Sequence, residues 1–413
     1  MSDDPIGPEN PEGENETDDR GVGREGIVNR TTGVGTRVGR ALLIPTLAFF
    51  TALVLGAVII ALTNIDILRL WGNDPGEALR QTVSDVTDAY QALFQGSIGS
   101  PRALSETLFS ATPLILTGLA VALGFQAGLF NIGANGQLHM GGMAALYIAF
   151  SLDLPAVPLI SLALLAAMVA GGVWGAIPGY LKATTGAHEV ITTIMFNFIA
   201  LFLVNYLLTT RVFQATGRDD PISKPVNEAA ELPRLFGSDY RIHIGFFVAL
   251  VAVAFTQWLL YRSVMGFEFR AVGANPEAAR YAGMKVTLVF VLVMAIAGAL
   301  AGLAGANQIL GLEPFRAQSN FAGTTGFDGI SIALLGRSNP VGVLWAGILF
   351  GALRAGGREM QGVAGVPIDL VIVIQALIIV FIAAPAVIRA IYRLPEPSEG
   401  DEETPVVSGG WGA

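Results

Sequence analysis

Gly273-Ala-Asn-Pro-Glu-Ala-Ala-Arg-Tyr-Ala-Gly283 is a polar stretch set between two long apolar runs, Val248 to Leu260 and Val286 to Leu310. Asn275 can cap a helix that Pro276 begins at its first position; Glu277 sits at the positive end of its dipole, and Gly283 can close it. Such a helix is about two turns long. It is too short and polar to cross a bilayer, whereas its neighbours are apolar enough to do so. The stretch therefore belongs at a membrane surface. Ala278, Ala279 and Ala282 keep part of its profile low, which suits a small capped helix to a groove on a soluble partner. The competing reading is a surface loop that happens to be helical.

The whole chain agrees with a membrane setting. Its 413 residues are 53% hydrophobic and 14% charged, with a mean hydropathy of +0.59, so it reads as an all-α integral membrane protein. With no cysteine, disulfides, thiolate catalysis and cysteine metal sites are excluded. His139, His188 and His243 lie too far apart for a metal-ligand spacing, so neither metal nor cofactor is expected. The net charge of -9 owes much to acidic ends, and residues 1–40 and 394–413 read as disordered, solvated cytoplasmic tails around a transmembrane domain at 41–393. No nucleic-acid partner is expected. A literal GxGxxG at Gly21 to Gly26 follows no apolar strand and carries no dinucleotide site. The first apolar run begins near Ala41 with no small-residue cleavage site after it, so it reads as a retained anchor.

Ala41 to Leu62 is the first span, and Arg30, Arg37 and Arg40 before it favour a cytoplasmic N-terminus. Thr63 to Arg102 is polar with helical spacing and reads as external. Leu104 to Gly124 is a second span, broken at Pro113 between Thr112 and Thr117. Gly128 to Gln137 is rich in glycine and amides without a charge, the most unusual sequence at membrane depth. Leu138 to Phe150 and Val157 to Tyr180 follow as spans, the second with Gly171, Gly175 and Gly179 forming a ridge for close helix approach. His188 to Leu208 carries Glu189, Thr193, Asn197 and Asn205 on one helical face, which suits either a path for a neutral, hydrogen-bonding solute or interhelical glue. Arg211 to Arg241 reads as an external loop, and Ile242 to Tyr261 and Thr287 to Leu310 as spans around a cytoplasmic loop at 263–286. Gly326 to Gly356 reads as two short spans meeting at Gly336 to Pro340, and Pro367 to Ile391 as the last span before a cytoplasmic C-terminus. That makes about ten spanning or half-spanning helices. Arginines and lysines in the long external loops, among them Arg211, Arg218 and Lys224, leave the orientation unsettled by charge alone.

Four separated stretches resemble one family. Glu277-Ala-Ala followed by Gly283 resembles the EAA-xxx-G coupling motif of ABC-importer permeases. Phe130-Asn-Ile-Gly-Ala-Asn-Gly-Gln137 resembles the FNIGAEGQ signature of permeases serving branched-chain amino acids, simple sugars and nucleosides, with Asn135 where an acidic residue is usual. His188 to Asn197 is similar to the NEVISTIMLN segment of the nucleoside-type members, and Gly326 to Pro340 to their GFDGIAVALLGRNNP. The resemblance implies an importer subunit in the cell membrane. It also implies ABC ATPase subunits, a second related permease and an extracytoplasmic substrate-binding lipoprotein as partners, with a nucleoside as the small-molecule solute. A simple sugar or branched-chain amino acid is the alternative.

The chain has no GxxxxGK[ST] and is not expected to be an enzyme that hydrolyses ATP. Driving a two-state gate from 1:99 to 99:1 takes about 5.5 kcal/mol, which a partner must then deliver through the docked helix. Asn275, Pro276, Glu277, Ala278, Ala279 and Gly283 are the coupling candidates. Pro113, Asn131, Asn135, Gln137, Thr193, Asn197 and Asn205 are the candidates for the solute path. An ion-coupled secondary transporter is the competing class, but Glu189, Glu313, Asp328 and Asp369 read as lying at span ends rather than near the midplane.

Overall fold

The computed structural model describes residue 43 and residues 46–394. The expected tails (apart from Leu394), the GxGxxG and the arginines before the first span lie outside the described residues. The described residues contain no strand, only isolated β-bridges within the loop after Leu208 and from it to Gln318.

Among the described residues, seven helices are long and apolar enough to cross a membrane: α1 (Thr46–Thr63), α4 (Pro101–Gln126), α6 (Ala156–Thr185), α7 (Glu189–Leu208), α8 (Gly245–Arg262), α11 (Val286–Gly311) and α13 (Pro340–Ala364). A bent apolar pair, α14 (Ile368–Ala383) and α15 (Pro385–Tyr392), has an 88° turn at its break and brings the number to eight when the pair is counted as one span. The turn falls where Pro385, fit only for a first helical turn, opens α15. Two further helices begin inside the bundle, α5 (Ala134–Ser151) and α12 (Thr325–Leu335), which accounts for the expected total of about ten. Two polar helices, α2 (Ile65–Asn73) and α3 (Pro75–Ile98), lie between α1 and α4, and α9 (Val264–Ala274) and α10 (Pro276–Tyr281) between α8 and α11.

α4 and α11 form the centre. Within the apolar window of α4, 78% of the residues are buried, against 22% in each of α1, α6 and α7, which present their apolar surfaces outward. Small residues let α11 approach its neighbours: a Cβ added at Gly298 would lie 2.1 Å from the Gly171 carbonyl oxygen of α6, and one at Gly305 2.1 Å from that of Leu138 in α5. The ridge read at Gly171, Gly175 and Gly179 is thus where α6 meets α11.

Several boundaries differ from the sequence reading. α4 is not broken at Pro113: the helix runs through it, and the hydroxyl of Thr117 donates to the Pro113 carbonyl at 3.1 Å. Residues 326–356 do divide at Gly336 to Pro340, into α12 and α13, but the second part is not short, because α13 continues to Ala364. Along α13, Arg354 pairs with Asp328 and Arg358 with Glu106 (3.2 Å). Asp328 stands in the first turn of α12, a helix end as read, but one that begins inside the bundle. The segment 63–102 packs on the core, since α3 runs along the far half of α13, with Gly96 against Glu359 and Gly356.

Candidate functional site

Two constellations emerge, one at each level of the bundle. The first is the capped knuckle. Ser263 ends α8 and caps α9, its hydroxyl accepting from Gly266 N–H at 2.9 Å. Asn275 then ends α9 and caps α10, its Oδ1 accepting from Ala278 N–H at 3.0 Å, with Pro276 at the first helical position. Gly283 closes the turn with φ +86°, a conformation that side chains resist, and its N–H donates to Arg280 O at 3.0 Å. Only Ala279 of the α10 helix is buried (4% exposed), standing on the neighbouring helices, while Tyr281 is 93% exposed. Glu277 is exposed and pairs with Arg280 at 2.7 Å on the same short helix. The knuckle is also wedged against the end of α4, because a Cβ at Gly273 would come within 2.4 Å of Gln126 O.

The second constellation is a buried amide seam where α5 and α12 begin. Asn131 and Gln137 exchange two hydrogen bonds through their side-chain amides, at 3.0 and 3.1 Å, and Asn131 Oδ1 also accepts from Gly133 N–H at 3.1 Å. From α7, Asn197 Oδ1 accepts from Gly136 N–H at 2.7 Å while its Nδ2 donates to Ile132 O at 2.9 Å. It thereby satisfies one of the first-turn amides that α5 leaves unpaired by starting inside the bundle. Asn135 repeats the arrangement for α12: its Oδ1 accepts from Gly326 N–H at 3.0 Å and its Nδ2 donates to Gly323 O at 3.2 Å. A carboxylate could accept but not donate here, so the amide fits this site better than the acid usual in related signatures. Asn131, Asn135, Gln137, Thr193 and Asn197 are all less than 8% exposed.

Of the path candidates, the structure brings Asn131, Asn135, Gln137, Thr193 and Asn197 together, with the Thr193 side chain against Gly133. Pro113 and Asn205 lie apart from them. Pro113 is one turn before Thr117, whose hydroxyl also donates to Thr325 O at 3.1 Å, and Asn205 is half-buried and accepts from Ser319 Oγ at 2.6 Å. Three partners were not singled out from sequence. Gln308 Nε2 donates to Thr325 Oγ1 at 3.0 Å, His139 Nδ1 lies 2.8 Å from Asn135 O, and Asp328 pairs with Arg354. The signal for Asp328 was present in the Gly326 to Pro340 stretch; nothing in the sequence marked Gln308 or His139. Among the described residues, no group of three His, Asp or Glu side chains is placed to hold a metal.

Comparison with known proteins agrees with this arrangement. Residues 103–383 match the family model described as branched-chain amino acid transport system / permease component. The chain is 40% identical to the guanosine ABC transporter permease of Bacillus subtilis over 84% of its own length and 94% of that protein. It is 42% identical to the glucose ABC transporter permease of Haloferax volcanii (74% and 83%), and 34% identical to the nucleoside ABC transporter permease of Lactococcus lactis subsp. cremoris (88% and 97%). No solved structure matches the chain. Multiple apolar spans, a knuckle of six helical residues between two of them and the match over residues 103–383 converge: the chain belongs to the branched-chain amino acid transport system permease family and is a permease subunit of an ABC importer.

Proposed function

We propose that this subunit imports a nucleoside across the cell membrane, with α10 facing the cytoplasm and docked in a groove of a separate ATPase. Both chain termini are then cytoplasmic. A second, related permease completes the membrane core, and an extracytoplasmic lipoprotein delivers the solute. The observation that carries the coupling role is the knuckle itself. α10 is too short to be stable alone, yet it is capped by Asn275, exposed at Tyr281 and follows directly on α9, which is wedged on α4 through Gly273. A rigid stub of this kind transmits a push without absorbing it.

The amide seam frames the solute path. Asn131, Asn135, Gln137, Thr193 and Asn197 hold the backbones of two internal helix starts, and their polar atoms are largely committed to that task. Asn205, half-buried beside exposed Ser319, is the member of the set that a solute reaches directly, and Pro113 lies in the wall behind α12. The relatives named for guanosine and nucleosides match along nearly their whole lengths, which favours a nucleoside. The glucose permease relative supports a sugar as the second reading. Uptake of labelled guanosine and glucose into proteoliposomes holding the four components decides between them. ATP-dependent guanosine accumulation that excess glucose does not suppress is expected; glucose accumulation without guanosine uptake overturns the nucleoside reading.

A further inference from the structure

α12 has a face that lipid would reject. Its buried side, Gly326, Gly329, Ile332 and Ala333, packs on α4, with Gly329 against Thr117 and Ile332 against Gly118. The opposite stripe, Thr324, Phe327, Asp328 and Ser331, follows helical i, i+3, i+4 spacing and is half-buried or exposed. A carboxylate and two hydroxyls on an outward face within a membrane bundle require water or protein beside them. Asp328 and Arg354 form an ion pair there with side chains 25% and 28% exposed. One turn along α13, Arg358 pairs with Glu106, which also binds Arg241 at 2.9 Å in the loop on the far side from α10. The charges thus form a ladder from that rim down to the start of α12.

The pair is only half used by the protein. Thr324 Oγ1 donates to Asp328 Oδ2 at 2.9 Å, and Arg354 donates to the same oxygen. Among the described residues no hydrogen bond engages Asp328 Oδ1, and the Arg354 guanidinium donates through one of its nitrogens only. A free carboxylate oxygen beside free guanidinium donors complements an N–H next to a carbonyl, the edge that guanine presents. Adenine can meet the pair only with its amino N–H on the carboxylate and its ring nitrogen on the guanidinium, whereas guanine sets its exocyclic N–H beside the ring N–H, so adenine makes one bond fewer to the carboxylate. Phe327, 42% exposed on the same stripe, offers an aromatic face to a base.

We propose that Asp328 and Arg354 form a selectivity point on the path wall, reading the hydrogen-bonding edge of a nucleobase as it passes α12. This rests on the nucleoside-import reading above. The wild-type complex and the variants Asp328→Asn, Asp328→Arg/Arg354→Asp and Thr324→Val are assayed for guanosine and adenosine uptake in proteoliposomes with the same binding lipoprotein. The lipoprotein's own preference cancels when variant and wild-type ratios are divided. Asp328→Asn is expected to shift the guanosine-to-adenosine ratio about tenfold toward adenosine, since a hydrogen bond to a charged group is lost. The charge swap restores neutrality, so it should restore membrane insertion but not the wild-type ratio. Should the charged variants fail to insert, Thr324→Val carries the test, with a smaller shift in the same direction. Equal scaling of both solutes in every inserted variant, or a swap that recovers the wild-type ratio, assigns the pair to structure and overturns the inference. A wild-type complex that carries neither nucleoside overturns the nucleoside reading instead.

Discussion

The knuckle at 263–286 and the amide seam around Asn131 do opposite jobs with the same residue type. Both depend on asparagine accepting from a helix's first-turn amides. In the knuckle the donor, Ala278, lies three residues from Asn275, and the site is exposed. In the seam, Asn197 reaches Gly136 across 61 positions and Asn135 reaches Gly326 across 191, and the atoms are buried. The same bond is a local switch-piece in one place and a long-range rivet in the other. Losing it has different consequences, because an orphaned polar group near water is resolvated and one inside the bundle is not.

The sharpest way to break the comparison is Asn197→Ala. It strands Gly136 N–H and Ile132 O together, each at a cost of about 1–3 kcal/mol. Thermal unfolding in detergent should move to clearly lower temperature and uptake should be lost with it; an unshifted transition would return Asn197 to a surface role. Asn135→Asp is expected to be milder. It keeps the acceptor for Gly326 N–H but sets an oxygen against Gly323 O, losing one buried bond worth about 1 kcal/mol and adding repulsion unless the acid takes up a proton. Stability of this variant should therefore rise as pH falls toward 5, because the folded state then binds a proton that the unfolded chain releases.

On the knuckle side, Gly283→Val should behave differently from any seam variant. A Cβ there meets nothing within 4 Å, so the cost is confined to the backbone, about 1–2 kcal/mol for a left-handed φ. Uptake should collapse while the melting transition stays near wild type, and Gly283→Asn should recover part of the activity. Asn275→Ala is expected to have the smallest effect, about 1 kcal/mol of local helix stability. Solute-stimulated ATPase activity should drop severalfold without loss of assembled complex.

What was legible in the sequence follows the same division. Asn275, Pro276 and Gly283 were readable because cap, helix start and closing turn lie within nine positions. The ridges of Gly171, Gly175 and Gly179 and of Gly298 and Gly302 could both be read from their spacing, though that they pack on each other emerged only in three dimensions. The amides of 131–137 stood out by type, but the backbone amides they satisfy belong to helix starts that no local signal announces. Charges misled most. Asp328 reads as a span end and does stand in the first turn of a helix, but that helix begins inside the bundle beside Arg354 of α13, and their pairing removes the cost of the charge. Pro113 misled as well, since the helix of α4 runs through it without a break.

The chain contains no cysteine, so a single Tyr281→Cys, at a site 93% exposed, gives one addressable thiol on α10. Labelling with a membrane-impermeant maleimide, in intact cells and in inverted vesicles with and without the ATPase subunit, tests the coupling role directly. Protection in cells, labelling in stripped inverted vesicles and renewed protection once the ATPase is added back are predicted. Labelling of intact cells, or labelling that the ATPase leaves unchanged, would contradict it.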